Sequence, residues 1–113
     1  MHEMSIALSI IDIANEEASR ANAKKINGID IEIGSISGVD VSALEFAFDI
    51  AIKNTLLENA KRNIISIPAK AECLECKSTF ALTAFYEPCP NCESLTINIL
   101  QGKELRIKSI NVD

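Results

Sequence analysis

At 113 residues the chain is the length of one domain, and with 48% of its residues hydrophobic it is a globular chain rather than a disordered one. A formal net charge of −5 sets it against a phosphate backbone as partner. No run of about 18 apolar residues could form a transmembrane helix.

The opening Met1-His2-Glu3-Met4 carries none of the basic residues that begin a signal peptide, so a cytoplasmic location is expected. With four Phe and one Tyr as the only aromatics, the core has to be built from Ile, Leu, Val and Ala.

Residues 4–24 read as a helix, with Met4, Leu8, Ile11, Ala14, Ala18 and Ala21 on an apolar stripe. Ser5, Ser9, Asp12, Glu16 and Arg20 lie on the other face. From Gly28 to Gly34 the chain alternates: Ile29, Ile31 and Ile33 face one way, Asp30 and Glu32 the other. That pattern predicts a strand with one wet face.

After a turn at Gly38-Val39-Asp40, a second helix is predicted from Ser42, capped by Ser42 and Glu45 and stapled by Val41 on Phe46. Its buried stripe is Leu44, Ala47, Phe48, Ala51 and Ile52, and it fades between Asn54 and Asn59. Ile64 to Lys70 and Leu105 to Val112 read as strands, the latter slipping phase near Ser109 and Ile110.

The expected fold is α+β: a three-stranded sheet with two helices on one face, plus an inserted four-cysteine module. The domains are then 1–70 with 104–113, discontinuous in sequence, and 71–103. The insert is too short for a hydrophobic core of its own. Side-by-side packing of the helices on one sheet face also brings the Gly38 to Ser42 turn near the N-terminus.

The insert carries Cys73-x2-Cys76 and Cys89-x2-Cys92, with twelve residues between the pairs. Each such turn points two sulfurs inward, and two turns close a tetrahedron around Zn²⁺. Pro88 and Pro90 stiffen the second turn. Four thiolates leave no ligand position open for water, which makes the site structural rather than catalytic. Disulfides or a redox pair are the competing readings, disfavoured in a reducing compartment.

His2 is the only histidine. A second residue is ordinarily a frayed terminus without a role. Beside that reading stands a chemical one. A free α-amine, the amide nitrogen of residue 2 and the His2 imidazole form fused chelate rings, and nitrogen ligands in a square plane suit Ni(II) or Cu(II). Glu3 can add a backbone nitrogen or a carboxylate oxygen. Met1 is expected to be retained, because a bulky second residue blocks its removal.

Taken together, the motifs resemble the HypA family of hydrogenase nickel-incorporation proteins along the whole chain. The resemblance is carried by Met1-His2-Glu3-Met4-Ser5, Ser37-Gly38-Val39-Asp40 and Leu44-Glu45-Phe46-Ala47-Phe48. It continues in the two Cys pairs with Pro88-Cys89-Pro90-x-Cys92, and in Gly102 to Ile110.

The resemblance implies a nickel metallochaperone that delivers Ni(II) for maturation of the [NiFe] hydrogenase large subunit and works with a HypB-type GTPase. It implies nickel at Met1, His2 and Glu3 in the α+β domain, and zinc at Cys73, Cys76, Cys89 and Cys92. Asp40 becomes a group beside the nickel rather than a ligand. Nucleic-acid and membrane partners are not implied, and a monomer or homodimer is expected. Some members carry His beside the cysteine pairs; Ser78 and Glu93 stand there in this chain, so pH sensing through such histidines is not expected.

The alternative reading is a zinc-ribbon protein-interaction or nucleic-acid-binding module. Around the cysteines, however, Glu72, Glu75, Glu87 and Glu93 face a single Lys77, and Phe80, Phe85 and Tyr86 lack the basic interleaving of a stacking platform. An enzyme is not expected either: with one His there is no Ser/His or Cys/His constellation.

Overall fold

A computed structural model describes residues 2–112. In chain order the elements are α1 Glu3–Arg20, β1 Ile26–Gly34, α2 Val41–Ala51, β2 Lys61–Ile67, β3 Ala69–Cys73, β4 Thr79–Leu82, β5 Ile97–Gln101 and β6 Leu105–Val112. They form two three-stranded sheets, ordered β2-β1-β6 and β4-β3-β5. The chain divides into two compact units, one of residues 2–32, 39–65 and 106–112, the other of 33–38 and 66–105.

In the first unit α1 packs against α2. The face that α1 buries is Ala7, Ile10, Ile11, Ala14 and Ala18. It is rotated from the predicted stripe, because Met4 and Leu8 are exposed. Alanines at three of these positions keep the buried ridge low, which suits close helix approach. The helix stops at Arg20 and not at residue 24. Asn22 takes the left-handed conformation (φ 54°), and its N–H reaches Ser19 O at 3.0 Å while Ala23 N–H reaches Ala18 O at 2.9 Å. Those paired bonds satisfy the last carbonyls and close the helix.

β1 behaves as its alternation predicts, with Ile29, Ile31 and Ile33 buried. On its wet face Asp30 accepts from Asn63 Nδ2 at 3.3 Å and from Ser109 Oγ at 2.9 Å. Glu32 accepts from Arg106 Nε at 2.6 Å. Such cross-strand pairs, from β2 on one side and β6 on the other, fix β1 as the central strand.

α2 starts one residue earlier than predicted, and its cap is Asp40, not Ser42. The Asp40 carboxylate accepts the Ala43 N–H at 3.2 Å. The predicted Val41–Phe46 staple does not close, since both side chains are exposed. The buried stripe is the expected one, with Leu44, Ala47, Phe48 and Ile52 buried, but the helix ends at Ala51. Arg62 on β2 braces it, pairing with Glu45 and Asp49 and lying 5.4 Å over the Phe48 ring.

The single strand predicted for Ile64–Lys70 is two strands. Pro68 has no N–H to continue a ladder, so β2 ends at Ile67 and β3 begins at Ala69 in the other sheet. β3 is the centre of that second sheet: Ala71 pairs with Phe80 of β4 and with Ile99 of β5, both antiparallel. A register shift at Lys70/Ala71 marks a bulge. In β6 the exposure changes phase across Lys108 and Ser109, next to the position where the sequence alternation slips.

The second unit has a small core of its own, contrary to expectation. Ile36, Ala69, Ala71 and Leu82 are buried, with Phe80, Ile97 and Ile99 packed on them. It is made possible by 33–38, a segment the sequence reading placed in the other domain. Gly34 N–H bonds Glu104 O at 2.8 Å, Ser35 N–H bonds Ile67 O at 2.9 Å, and Ile36 N–H bonds Gly102 O at 2.9 Å.

The backbones meet at two glycines. A Cβ on Gly34 would lie 1.9 Å from Gly102 O, and one on Gly102 (φ 119°) would lie 2.4 Å from the Ala69 Cβ. Backbone atoms on one side and a buried alanine on the other leave no flexible side chain to yield. Gly34→Ala is therefore expected to destabilise the second unit by about 3 kcal/mol or more. Urea denaturation followed by circular dichroism measures this; a loss below about 1 kcal/mol would mean that the crossing relaxes freely.

Candidate metal centre

β3 carries the first of the four cysteines by simple alternation. Ala69, Ala71 and Cys73 share its buried face, so the sulfur of Cys73 closes the row at the end of the small core. The cysteines then sit on two turns that repeat each other: Cys73-Leu74-Glu75-Cys76-Lys77-Ser78 and Cys89-Pro90-Asn91-Cys92-Glu93-Ser94. In each, the first Cys N–H bonds the Ser carbonyl, at 2.8 Å in both. The fifth residue's N–H returns to the first Cys carbonyl, at 3.0 Å from Lys77 and 2.7 Å from Glu93. Lys77 and Glu93 both take the left-handed conformation, φ 65° and 64°. The signal for this six-residue repeat in the sequence is C-x-x-C-x-S.

The two turns bring all four sulfurs within 4.8 Å of one another. Cys73 Sγ to Cys92 Sγ is 3.5 Å and Cys76 Sγ to Cys89 Sγ is 3.6 Å. These are not disulfide distances, and all four cysteines are free thiols. A tetrahedron with Zn–S bonds of about 2.3 Å has edges of about 3.8 Å, so the cluster is compatible with zinc.

The four thiols are not electrostatically alike. Asn91 and Ser78, through their side chains, pull Cys76 down to about 5. The Ser78 hydroxyl likewise holds Cys89 below the usual thiol range. The Ser94 backbone N–H favours the Cys92 thiolate, but contact with Cys73, desolvation and the sulfurs of Cys76 and Cys89 outweigh it and push Cys92 up to about 12. Hydrogen-bond donors thus favour the thiolate at Cys76, while the crowding of sulfurs disfavours a charge at Cys92.

Side chains that sequence reasoning passed over support the cluster. Ser78 Oγ lies 3.0 Å from Cys76 Sγ and 3.4 Å from Cys89 Sγ, and Asn91 Nδ2 lies 3.5 Å from Cys76 Sγ. Glu87 accepts the N–H and hydroxyl of Thr83 and the N–H of Ala84. It thereby ties the turn that leads into Pro88-Cys89, and the Thr83 contacts hold its carboxyl below the usual range.

The N-terminal candidates lie in the first unit. Met1 is outside the described residues. His2 occupies the N-cap position of α1 and is exposed, with no side-chain cap bond; its carbonyl accepts the Ile6 N–H at 3.1 Å. Glu3 Oε2 accepts the backbone N–H of Asp40 at 3.2 Å. The Gly38 to Ser42 turn therefore does stand beside the N-terminal segment, and Glu3 bridges α1 to the start of α2, where a carboxylate is favoured.

Asp40 has two separate contacts there, a backbone donor to Glu3 and a side-chain cap to Ala43. Asp40→Ala should remove only the cap, lowering stability by about 1 kcal/mol, whereas Asp40→Asn should retain most of it. Thermal denaturation of the three proteins checks this. Equal losses from Ala and Asn would show that the cap contributes nothing.

Comparison with known proteins covers the chain nearly end to end. The family model described as "Hydrogenase/urease nickel incorporation, metallochaperone, hypA" matches residues 1–112. The hydrogenase maturation factor HypA of Parabacteroides distasonis is 44% identical over 110 residues, 97% of this chain and 96% of that one. That of Chlorobaculum parvum is 39% identical over 113 residues, the whole of both chains. The solution structure of the Ni metallochaperone HypA from Helicobacter pylori superposes with a TM-score of 0.72 at 32% identity, covering 99% of this chain and 97% of that one. Carrying the sulfur cluster and the fold together with these likenesses, the chain belongs to the HypA family, the metallochaperones of hydrogenase nickel incorporation.

Proposed function

We propose that the chain binds Ni(II) as cargo through Met1, His2 and Glu3, holds a structural zinc at Cys73, Cys76, Cys89 and Cys92, and passes the nickel to the [NiFe] hydrogenase large subunit in concert with a HypB-type GTPase. The observation that carries the nickel assignment is the Glu3–Asp40 bond. It ties the first helical residue, next to the exposed His2, to the start of a second element. An exposed imidazole beside a free amine suits a site that must release its metal to a partner.

The zinc assignment rests on the four free sulfurs and their backbone repeat. Zinc bound there cross-links the two turns; no ligand position is left for chemistry. The two metals thus use different donors, nitrogen for the cargo and sulfur for the staple. No helix among the described residues is long and apolar enough to cross a membrane, in keeping with a cytoplasmic location as part of this reading.

Metal analysis after extensive dialysis tests the assignment. Zinc should stay with the chain while added nickel exchanges, and His2→Ala should lose nickel only. If His2→Ala retains nickel while Cys89→Ser loses it, the assignment of the two metals is wrong.

A further inference from the structure

The two cysteine turns repeat in backbone but not in the side chains aimed at their sulfurs. Backbone support is shared evenly. The N–H groups of Ser78 and Ser94 favour the thiolates of Cys76 and Cys92. Cys76 N–H reaches Cys73 Sγ and Asn91 N–H reaches Cys89 Sγ, both at 3.4 Å.

Side-chain support is one-sided. Ser78 Oγ approaches Cys76 Sγ at 3.0 Å and Cys89 Sγ at 3.4 Å, and Asn91 Nδ2 approaches Cys76 Sγ at 3.5 Å. The repeat counterpart of Ser78, Ser94, turns its hydroxyl away and accepts the Thr96 N–H at 3.1 Å. The counterpart of Asn91 is Glu75, whose carboxylate has no proton to give. Cys73 and Cys89 are buried and Cys76 is half-buried, whereas Cys92 is exposed.

When a cation is bound, all four sulfurs only accept. A donated O–H or N–H then draws electron density from the sulfur lone pair and makes that sulfur a poorer nucleophile. Burial denies access to the others. Cys92 alone has neither burial nor a side-chain donor, keeping only the backbone N–H that Cys76 also has, and thiolate reactivity follows exposure and free electron density.

We propose that Ser78 and Asn91 are positioning residues that make the four-sulfur centre one-sided, fixing Cys76 as its most inert ligand and leaving Cys92 as the sulfur at which soft electrophiles open it. With a maleimide as electrophile, the Cys92 sulfur forms a C–S bond to the alkene and the resulting carbanion takes a proton from water. The thioether left behind is a weak ligand, and zinc departs. The inference rests on the zinc reading of the four cysteines.

The test uses the full chain, purified with its metal and analysed for zinc. N-Ethylmaleimide is added below stoichiometry, modified cysteines are located by peptide mapping, and zinc release is followed with a colorimetric chelator. Cys92 should be modified first, in step with zinc release. Ser78→Ala and Asn91→Ala should raise Cys76 modification by about tenfold, the worth of one charge-assisted hydrogen bond. Ser94→Ala should leave the order unchanged.

In Co(II)-substituted protein the sulfur-to-metal charge-transfer band should move to lower energy in Ser78→Ala and Asn91→Ala, and return in Ser78→Thr. A merely structural role for these side chains would not move that band. If Cys76, Cys73 or Cys89 reacts first, or if the two variants leave both order and band unaltered, the proposal is overturned while the zinc reading stands. A chain that carries no zinc and takes up no Co(II) overturns both.

Discussion

Stripping zinc with a chelator under reducing conditions is expected to unfold the β4-β3-β5 unit and leave the helical unit largely folded. The reason is the composition of the second core. Its buried side chains are Ile36, Ala69, Ala71 and Leu82, with Phe80, Ile97 and Ile99 only partly covered, and they must offset the conformational entropy of ordering 66–105. A core this small is not expected to hold the unit folded alone. Structural zinc binding in small modules amounts to about 10–16 kcal/mol near neutral pH, large enough to decide the outcome.

Hydrogen exchange should therefore lose protection across β3, β4 and β5 on chelation, while α1, α2 and the Ile29–Ile33 stretch of β1 keep most of theirs. Cys76→Ser should reproduce the effect, because a neutral hydroxyl cannot replace the thiolate on which two side-chain donors converge. Acidification acts in the same direction, since protons compete with zinc for the thiolates. Freshly purified, reduced protein that contains no zinc and still shows full protection across β3 would sink the idea. Retention of zinc and native exchange by Cys76→Ser would do the same.

How far the sequence spoke depended on the kind of signal. Period-two alternation in Ile29-Asp30-Ile31-Glu32-Ile33 located β1 and its wet face, because one strand pattern has one solution. The double Cys-x2-Cys located the sulfur cluster for the same reason. Helix faces were less well placed. In α1, alanine and isoleucine positions surround much of the wheel, and the buried face is chosen by α2, which local periodicity does not see.

The cap of α2 was misread because Asp40, Ser42 and Glu45 all have capping chemistry, and backbone geometry chose Asp40. The strand break at Pro68 is legible in the sequence, because proline has no N–H to continue a ladder. The role of 33–38 was not legible at all, since the Gly34–Gly102 approach joins residues far apart in the chain. The same holds for Ser78 and Asn91: their hydrogen bonds to sulfur depend on two turns meeting in space.

Nickel affinity is expected to depend on a free amino terminus and to fall steeply as pH drops below neutral. In the proposed fused-ring chelate the donors would be the α-amine, the amide nitrogen of residue 2 and the His2 imidazole, with Glu3 adding a nitrogen or an oxygen. Each nitrogen binds nickel only without its proton, so binding releases protons and acid reverses it. With roughly two protons displaced, affinity should fall more than about tenfold per pH unit in mildly acidic solution.

His2→Ala should abolish the site, because the chain has no second histidine. An N-terminal tag should damage it as severely, since it converts the amine to an amide and moves His2 away from the terminus. Glu3→Gln is informative in a different way. It keeps an oxygen that can accept the Asp40 N–H but loses the charge, so a modest loss of nickel affinity with an unchanged fold is expected. Zinc content should not change in any of these proteins, since on this reading thiolates hold it independently of the terminus.

Calorimetric nickel titrations of untagged, tagged and His2→Ala protein, at about pH 7.5 and about pH 6.3, separate the possibilities. Equal nickel affinity in tagged and untagged protein would eliminate the terminal chelate. The metal would then have to sit on the sulfurs or on carboxylates, and the Cys89→Ser protein would reveal which.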